Sequence, residues 1–388
     1  MPGRILLIPD GPAALTYAPE LIARLRQRKY TVQVAPTAYP GPSALAFISE
    51  LAWTTLSGHP CLPIEKLNDE EFRKHDLILL GPVTQQVLEI FSRGKALEYL
   101  QKAARPLIAL PARLASDEPM QTNEFKSIMP ENSILSQGDE TLEMGAMGTL
   151  KITGIDDLLC QIDATLGKND LKALRILVTA GPTAEDIDPV RFLTNRSTGK
   201  MGVALATAAA LRGADVTLVH GPLQTAVPEL PNLKRIPIRS AEEMHGAVME
   251  RWTQMDVAIL AAAVADFRPD HYAEQKIKKV DGQALILNLR RTPDILAELG
   301  SQEKRPFLIG FAAESDDVEI NALAKLRKKH CDVICANDIR KPGCGFAADT
   351  NQITLYSPDK PPMHLPMKDK RELAHDILTH ALADLKKS

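Results

Sequence analysis

Short apolar stretches alternate with longer amphipathic stretches along most of the chain. The short stretches predict buried β-strands, and the longer ones predict helices. Strands that alternate with helices are typical of a doubly wound, mostly parallel sheet, so we predict the α/β class. The pattern begins at Arg4–Ile8 and starts again at Arg175–Thr179, after the polar segment Gly167–Asp170. This restart predicts two domains, residues 1–166 and 172–388.

The same patterns predict the individual elements. Helices are expected near Ala18–Arg28, Ile155–Leu166, Met201–Arg212, Glu319–Lys329 and Arg371–Leu385. Further strands are expected at Thr31–Ala35, Asp76–Leu80, Pro106–Leu110, Asp215–Val219, Val257–Val264, Phe307–Ile309, Val333–Ala336 and, at a sheet edge, Ile353–Tyr356. Residues Ser116–Gly148 are polar and lack periodicity, so loops are predicted there.

Composition narrows the class of protein. At 388 residues, with 45% hydrophobic and 24% charged residues, the chain is typical of a soluble globular protein. The formal net charge of -3 gives no electrostatic case for nucleic-acid binding. No apolar run approaches the roughly 20 residues of a membrane span, and the first residues lack a signal-peptide pattern. Five scattered cysteines fit a reducing compartment, so we predict a cytoplasmic protein.

A cationic cluster follows the most apolar strand of the second half. Val257–Val264 leads to Asp266, and Lys276, Lys278 and Lys279 come shortly after it. Ligands of open α/β sheets bind beyond the carboxyl ends of the strands. This arrangement therefore predicts a polyphosphate site.

A second polar segment, Asn195–Gly202, precedes a predicted helix, and Arg191 lies just before it. Backbone N–H groups at a helix N-terminus bind phosphate, and Ser197 or Thr198 is a suitable N-cap. The segment matches neither the P-loop nor the dinucleotide fingerprint. A further helix start is predicted at Thr292-Pro293, with Thr292 as its cap.

From about Leu174 to Leu385 the sequence resembles the phosphopantothenate–cysteine ligase family of coenzyme A biosynthesis. The motifs that carry the resemblance are, in order, Thr179–Thr183, Asp188–Phe192, Asn195 with Ser197–Gly202, Ala261–Asp266, Lys276–Lys279, Pro293–Leu296, Gly310–Glu314 and Ala336–Asp338. An ordered set of this size is specific to the family.

The resemblance implies a reaction in two steps. The carboxylate of 4′-phosphopantothenate attacks the α-phosphate of CTP, which releases pyrophosphate and forms an acyl-cytidylate. The amine of cysteine then attacks the activated carbonyl, and CMP leaves. Lysine side chains and Mg²⁺ would neutralise the charge that gathers when an anionic carboxylate meets a triphosphate. The choice of CTP over ATP, and the metal ligands, stay open at the level of sequence.

The resemblance also implies roles for individual residues. Asn195 would contact the reacting carboxylate and the acyl-nucleotide carbonyl, and Arg191 would help to shape that site. Lys276 would bind phosphates or the carboxylate, and Lys278–Gly282 would form a flap that keeps water from the intermediate. The nucleotide would be held by Leu260, Ala261, Ala262, Asp266, Lys276, Pro293, Asp294, Ile295, Leu296, Phe311, Lys325 and Lys329. The last two, four residues apart, share one face of a helix.

The first half resembles the flavin-dependent phosphopantothenoylcysteine decarboxylase that bacteria often fuse to this ligase. Asn68 stands where that family has its histidine, and Leu114 where it has an asparagine. Segment Gly138–Gly148 has no cysteine, and Pro12 alters the turn for the flavin phosphate. These departures argue for an inactive decarboxylase domain and leave FMN binding open.

Two alternatives remain beside a ligase with an inactive first domain. One is a fully bifunctional enzyme, whose decarboxylase uses displaced residues with FMN. The other is a non-enzymatic assembly or regulatory protein, which the intact Asn195, Asp266 and Lys276 disfavour. The family forms dimers through its ligase half and trimers through its flavoprotein half, which implies a homo-oligomer here. Its small-molecule partners would be 4′-phosphopantothenate and cysteine.

Overall fold

The computed structural model describes the chain except residues 1–2, 12, 37–47, 63–65, 84–87, 89–90, 115–117, 122, 124, 127–128, 131–132, 144–148, 279–283, 384 and 386–388. It divides into two compact units, Met1–Gly167 and Lys168–Ser388. The division falls at the polar segment Gly167–Asp170, after which the strand and helix pattern restarts.

The first unit is built on a parallel sheet. Its strands are β1 Arg4–Ile8, β2 Thr31–Val34, β3 Leu77–Val83, β4 Leu107–Pro111, β5 Arg113–Leu114, β6 Ser133–Leu135, β7 Glu140–Glu143 and β8 Thr149–Ile152. The main sheet has the order β2-β1-β3-β4-β6 with parallel pairing, and β5-β8-β7 form a small antiparallel sheet. The helices are α1 Ala13–Gln27, α2 Glu50–Ser57, α3 Asp69–Arg73, α4 Lys95–Ala103 and α5 Ile155–Leu166.

Both faces of this sheet are covered. Ile5 and Leu7 belong to one apolar cluster, whereas Leu6 and Ile8 belong to another. This division follows from the two-residue period of a strand, and a continuous apolar run is what a sheet buried on both faces requires.

The prediction of loops throughout Ser116–Gly148 was wrong for β6 and β7. Strand β6 has only three residues, and β7 exposes most of its residues, so neither has the apolar run or alternation that marks a strand in sequence.

The second unit has a larger sheet. Its strands are β9 Arg175–Ala180, β10 Ala184–Asp186, β11 Phe192–Thr194, β12 Asp215–His220, β13 Leu233–Pro237, β14 Val257–Leu260, β15 Phe267–Pro269, β16 Leu289–Arg291, β17 Phe307–Glu314, β18 Val333–Asp338, β19 Thr350–Asn351, β20 Thr354–Tyr356, β21 Met363–His364 and β22 Lys368–Asp369. The sheet order is β13-β12-β9-β14-β17-β18-β20-β21. Pairing is parallel from β13 to β18 and antiparallel at β20 and β21, so the mostly parallel α/β class is confirmed.

The helices of this unit are α6 Lys200–Leu211, α7 Ala241–Met249, α8 Ile295–Gly300, α9 Val318–Lys328 and α10 Lys370–Ala381, with a 3₁₀ turn at Trp252–Gln254. The short antiparallel ribbons β10-β11, β15-β16 and β19-β22 lie outside the main sheet.

Two strand predictions need correction. Strand β14 ends at Leu260 instead of Val264, because the backbone of the next residues is bonded to loop and side-chain groups instead of a neighbouring strand. The strand predicted at a sheet edge, Ile353–Tyr356, lies between β18 and β21. The edge strand β21 is only Met363–His364, too short to leave a sequence pattern.

Helix α6 packs closely on β9 at Gly202. A Cβ there would lie 2.5 Å from the Cβ of Ala180 and 2.9 Å from the carbonyl oxygen of Thr179. Gly202→Ala is therefore expected to lower the free energy of unfolding of this unit by about 1–3 kcal/mol through overpacking. Denaturant unfolding followed by circular dichroism measures the change.

Gly246 provides the matched control, because it is also a helical glycine but has nothing within 4 Å of its Cβ position. Gly246→Ala should be neutral or stabilising by about 0.5–1 kcal/mol. Equal effects of the two substitutions would contradict the packing argument.

Candidate functional site

A cleft of about 930 Å³ opens at the carboxyl ends of β9, β14, β17 and β18 in the second unit. Most of the residues predicted to hold a nucleotide line this cleft: Leu260, Ala261, Ala262, Asp266, Pro293, Asp294, Ile295, Leu296, Phe311, Lys325 and Lys329. Asn195, Arg191 and Lys276 do not line it, and their positions are described below. The cleft lies where ligands of open α/β sheets bind.

One wall of the cleft is the strand-end loop, Ala261–Asp266, which the Thr179–Thr183 segment holds in place. Thr179 Oγ1 accepts a hydrogen bond from the N–H of Ala262 at 3.1 Å. The buried Thr183 accepts one from the N–H of Ala265 at 3.0 Å. The sequence identified Thr179–Thr183 as a motif, and in the structure its two threonines hold the strand-end loop in position.

Asn195 holds the same loop from the other side. Its Nδ2 donates to the carbonyl oxygens of Ala263 and Val264, at 3.0 and 3.1 Å. The opposite amide orientation would turn its oxygen toward two other oxygens, so these bonds fix the side chain. Thr292 Oγ1 donates to the carbonyl of Ala265 at 2.5 Å. The backbone of the strand-end loop is therefore oriented before any ligand arrives.

Lys325 of helix α9 and Lys329, the C-cap of that helix, line the cleft together with the start of α8. Lys325 Nζ donates to the carbonyl of Phe311 at 2.6 Å, and burial lowers the pKa of Lys325. Lys329 forms an ion pair with Asp294. Burial raises the pKa of Asp294, but the Lys329 ammonium and the N–H of Ala297 outweigh it, so the pKa lies below its usual value. Asp294 is thus ionised, and it is the N-cap of α8.

The predicted caps of two helices were wrong. Thr292 does not cap α8, because its hydroxyl is bonded to Ala265. Gly199, with φ of 81°, is the N-cap of α6 and offers no side-chain cap. Ser197 instead accepts from the N–H of Gly199, and Thr198 donates to the carbonyl of Phe346 at 3.0 Å. The N-terminus of α6 lines the cleft, with Gly199 and Lys200.

Sequence reasoning missed the wall loop, Cys344–Asp349, and Lys370, which holds it together with Lys200 of the segment Asn195–Gly202. Lys370 is 5% exposed, and its Nζ donates to the carbonyls of Gly345, Phe346 and Ala348. Lys200 Nζ donates to the carbonyl of Ala347 and pairs with Asp349. Lys370 is the first residue of α10, where a positive charge opposes the helix dipole. That unfavourable placement was the signal in the sequence that could have marked Lys370 as a residue with a special role.

The basic arm Lys276–Lys278 is exposed at both lysines. Its central residue, Ile277, is bonded to Asp188 and Arg191. Of the predicted flap Lys278–Gly282, only Lys278 is among the described residues.

In the first unit, Asn68 and Leu114, which stand at the decarboxylase positions, make structural contacts. Asn68 is the N-cap of α3 and accepts from the N–H of Glu71 at 2.9 Å, and Leu114 pairs with Leu150 in the small sheet. His75 is 2% exposed, and burial lowers its pKa, which favours a neutral ring. A buried carboxylate, Asp10, follows β1. Pro12 and residues 144–148 lie outside the described residues.

The described residues hold no group of three or more His, Cys, Asp or Glu side chains arranged for a metal ion. Among those residues, too, no helix is long and apolar enough to cross a membrane.

Fold and cleft together define a two-unit α/β protein with a basic, preorganised ligand cleft in its second unit. Comparison with known proteins identifies the family to which a protein of this class belongs. Residues 171–385 match the family model of the DNA/pantothenate metabolism flavoprotein C-terminal domain. The chain is 36% identical to the coenzyme A biosynthesis bifunctional protein CoaBC of Vibrio vulnificus strain YJ016, over 97% of this chain and 96% of that protein.

A second relative is the CoaBC protein of Escherichia coli K12, 35% identical over 97% of this chain and 95% of that protein. Among solved structures, the C-terminal domain of a CoaBC protein matches with 40% identity and a TM-score of 0.49, covering 57% of this chain and all of that domain. The chain belongs to the CoaBC family of coenzyme A biosynthesis proteins, and the resemblance seen in the sequence is confirmed.

Proposed function

We propose that this protein is a phosphopantothenate–cysteine ligase that uses CTP and Mg²⁺ and forms an acyl-cytidylate. The observation that carries the proposal is the meeting of separate motifs at one cleft. Apart from Lys276, the residues from Leu260 to Lys329 that the resemblance assigns to the nucleotide come together there, although they lie far apart in the sequence. The match of the C-terminal domain model to residues 171–385 supports a ligase domain.

The residues divide the chemical work between them. The strand-end loop and the start of α8 hold the nucleotide, since their backbone groups are already oriented. Lys325 and Lys329 supply positive charge beside the phosphates, where a partly buried cation acts more strongly than in water. Lys276, which is exposed on its arm, would bind the phosphates or the reacting carboxylate.

The cleft is suited to a magnesium–nucleotide complex. Mg²⁺ bound to a nucleotide takes most of its ligands from phosphate and water and needs only one or two carboxylates. Asp266 and Glu314 line the cleft and would supply them. The bound ion would lower the charge repulsion between carboxylate and triphosphate.

The competing proposal is a fully bifunctional enzyme. The similarity to the bifunctional relatives runs over the whole chain and includes the first unit. Against it stand the cap role of Asn68 and the strand position of Leu114, which leave those described positions without an acid–base group. Flavin absorbance of the purified protein, with release of CO₂ from phosphopantothenoylcysteine, would establish the bifunctional reading.

Pyrophosphate release tests the ligase directly. We expect turnover that requires phosphopantothenate, Mg²⁺ and CTP, with phosphopantothenoylcysteine as the product once cysteine is added. Running the assay with each nucleoside triphosphate in turn decides the base preference. No pyrophosphate with any nucleotide would refute the ligase and favour a non-enzymatic homologue.

A further inference from the structure

A buried carboxylate lies behind the basic arm. Asp188 is 2% exposed, and its oxygens accept five hydrogen bonds. Oδ1 accepts from the N–H groups of Val190 and Arg191, at 2.9 and 2.8 Å. Oδ2 accepts from the Arg191 side chain, at 3.0 and 2.5 Å, and from the N–H of Ile277 at 3.1 Å. The guanidinium of Arg191 is the largest cause that holds the pKa of Asp188 well below its usual range, so this carboxylate stays ionised.

Arg191 completes the contact to the arm. Its Nη2 also donates to the carbonyl of Ile277, at 2.7 Å. One ion pair therefore binds both the N–H and the C=O of a residue almost ninety positions away in the chain. A separate bond from the N–H of Ala273 to the carbonyl of Ile187, at 3.0 Å, aligns the same two segments.

We propose that Asp188 and Arg191 form a clamp that fixes the base of the Lys276–Lys278 arm and so sets the position of Lys276 relative to the cleft. In this role both are positioning residues, and Asp188 acts on the substrates only through the arm. The consequence for catalysis rests on the proposed ligase function, whereas the clamp itself is a property of the fold.

The physical advantage is the restriction of a cationic loop before substrate binds. A lysine on an unrestrained loop would lose backbone freedom at each turnover, which raises the barrier to reaching a productive geometry. Hydrogen bonds to ionised groups are stronger than neutral ones, and the burial of Asp188 keeps water from competing. The clamp leaves the side chain of Lys276 exposed and able to move.

The clamp requires the shape of arginine and not only its charge. The guanidinium fork allows one side chain to bond Asp188 through Nε and Nη2 while Nη2 also reaches Ile277. A lysine at position 191 would keep the ion pair but not this set of simultaneous bonds.

The test uses the full-length variants Asp188→Asn and Arg191→Lys. In Asp188→Asn, an NH2 group replaces one carboxylate oxygen. A donor would then face the N–H groups from which that oxygen accepts hydrogen bonds. We expect hydrogen exchange of residues 273–278 and trypsin cleavage after Lys276 and Lys278 to rise by about tenfold or more in both variants. Pyrophosphate release should fall by about tenfold or more in kcat, with the KM for cysteine within about twofold of its original value.

Asp186→Asn is the matched control. Asp186 forms a similar pair with Arg239, but the pair is exposed at 38% and 50% and does not bond the arm. It should change neither exchange in the arm nor turnover.

The outcomes separate the two proposals. Unchanged exchange and cleavage in the arm in both variants would overturn the clamp. A loosened arm with unchanged kcat would overturn its positioning role. A loosened arm in a protein whose original form shows no ligation would support the clamp and overturn the proposed function. Should Asp188→Asn not fold, Arg191→Lys carries the same readouts.

Discussion

Replacing Asn195 by alanine is expected to lower kcat/KM for ligation by about 10²-fold, because the strand-end loop at the nucleotide cleft would lose the side chain that holds it in place. Both of its N–H groups are engaged by the carbonyls of Ala263 and Val264. The substitution leaves those carbonyls without their side-chain donor, so the strand-end loop loses its fixed orientation at the nucleotide cleft. We therefore expect Asn195 to act largely through the loop. Steady-state pyrophosphate release at saturating cysteine measures the change.

The chain contains a close control for this experiment. Asn232 also donates through Nδ2 to two carbonyls, those of Ala210 and Ala214, at 2.9 and 2.7 Å, and it does not line the cleft. Asn232→Ala should lower the free energy of unfolding by about 1–3 kcal/mol and leave kcat per folded molecule unchanged. Equal losses of kcat in the two variants would show that Asn195 matters only for stability.

Replacing Lys370 by methionine is expected to raise the KM for the nucleotide by about tenfold or more, because the wall loop would lose the cation that holds it. Methionine keeps the length and the apolar stem of the side chain but cannot donate to the carbonyls of Gly345, Phe346 and Ala348. Leaving these partly buried acceptors unpaired should also lower the free energy of unfolding, by about 1 kcal/mol. Nucleotide titration with the original and variant proteins measures the first effect, and denaturant unfolding measures the second.

Lys368→Met tests whether the effect is specific. Lys368 lies on the same strand-to-helix connection, but it is partly exposed and pairs with Asp376 at 2.6 Å. A pair of this kind contributes about 0–1 kcal/mol, so the substitution should leave the KM for the nucleotide nearly unchanged. If both lysine variants bind the nucleotide like the original protein, the wall loop is not part of the binding site.

The repeated apolar strands made most of the fold predictable from the sequence. Val257–Leu260 and Val333–Asp338 are buried on both faces, so their composition alone indicates central strands of a parallel sheet. Strands such as β6 and β21 could not be predicted from composition, because they have few residues and their pairing depends on the strands beside them.

The site was predictable only as a set of motifs. The segments around Asp266, Pro293 and Lys325 do meet at the cleft. What each side chain contacts depends on partners distant in sequence, as in the bond from Thr198 to Phe346, 148 residues away. Periodicity carries no information about such pairs, which is why the wall loop and the Asp188–Arg191 clamp emerged only from the three-dimensional structure.

Lys370 and the lysines of the basic arm differ in how accessible they are to acylating reagents. Acylating reagents require an amine that is both unprotonated and accessible. Burial lowers the pKa of Lys370, which increases its unprotonated fraction, but the carbonyls around its Nζ keep an electrophile away. Lys276 and Lys278 are exposed and meet the second requirement. A covalent inhibitor aimed at this cleft would therefore leave Lys370 unlabelled, and its reactive group would have to be directed at an exposed lysine instead.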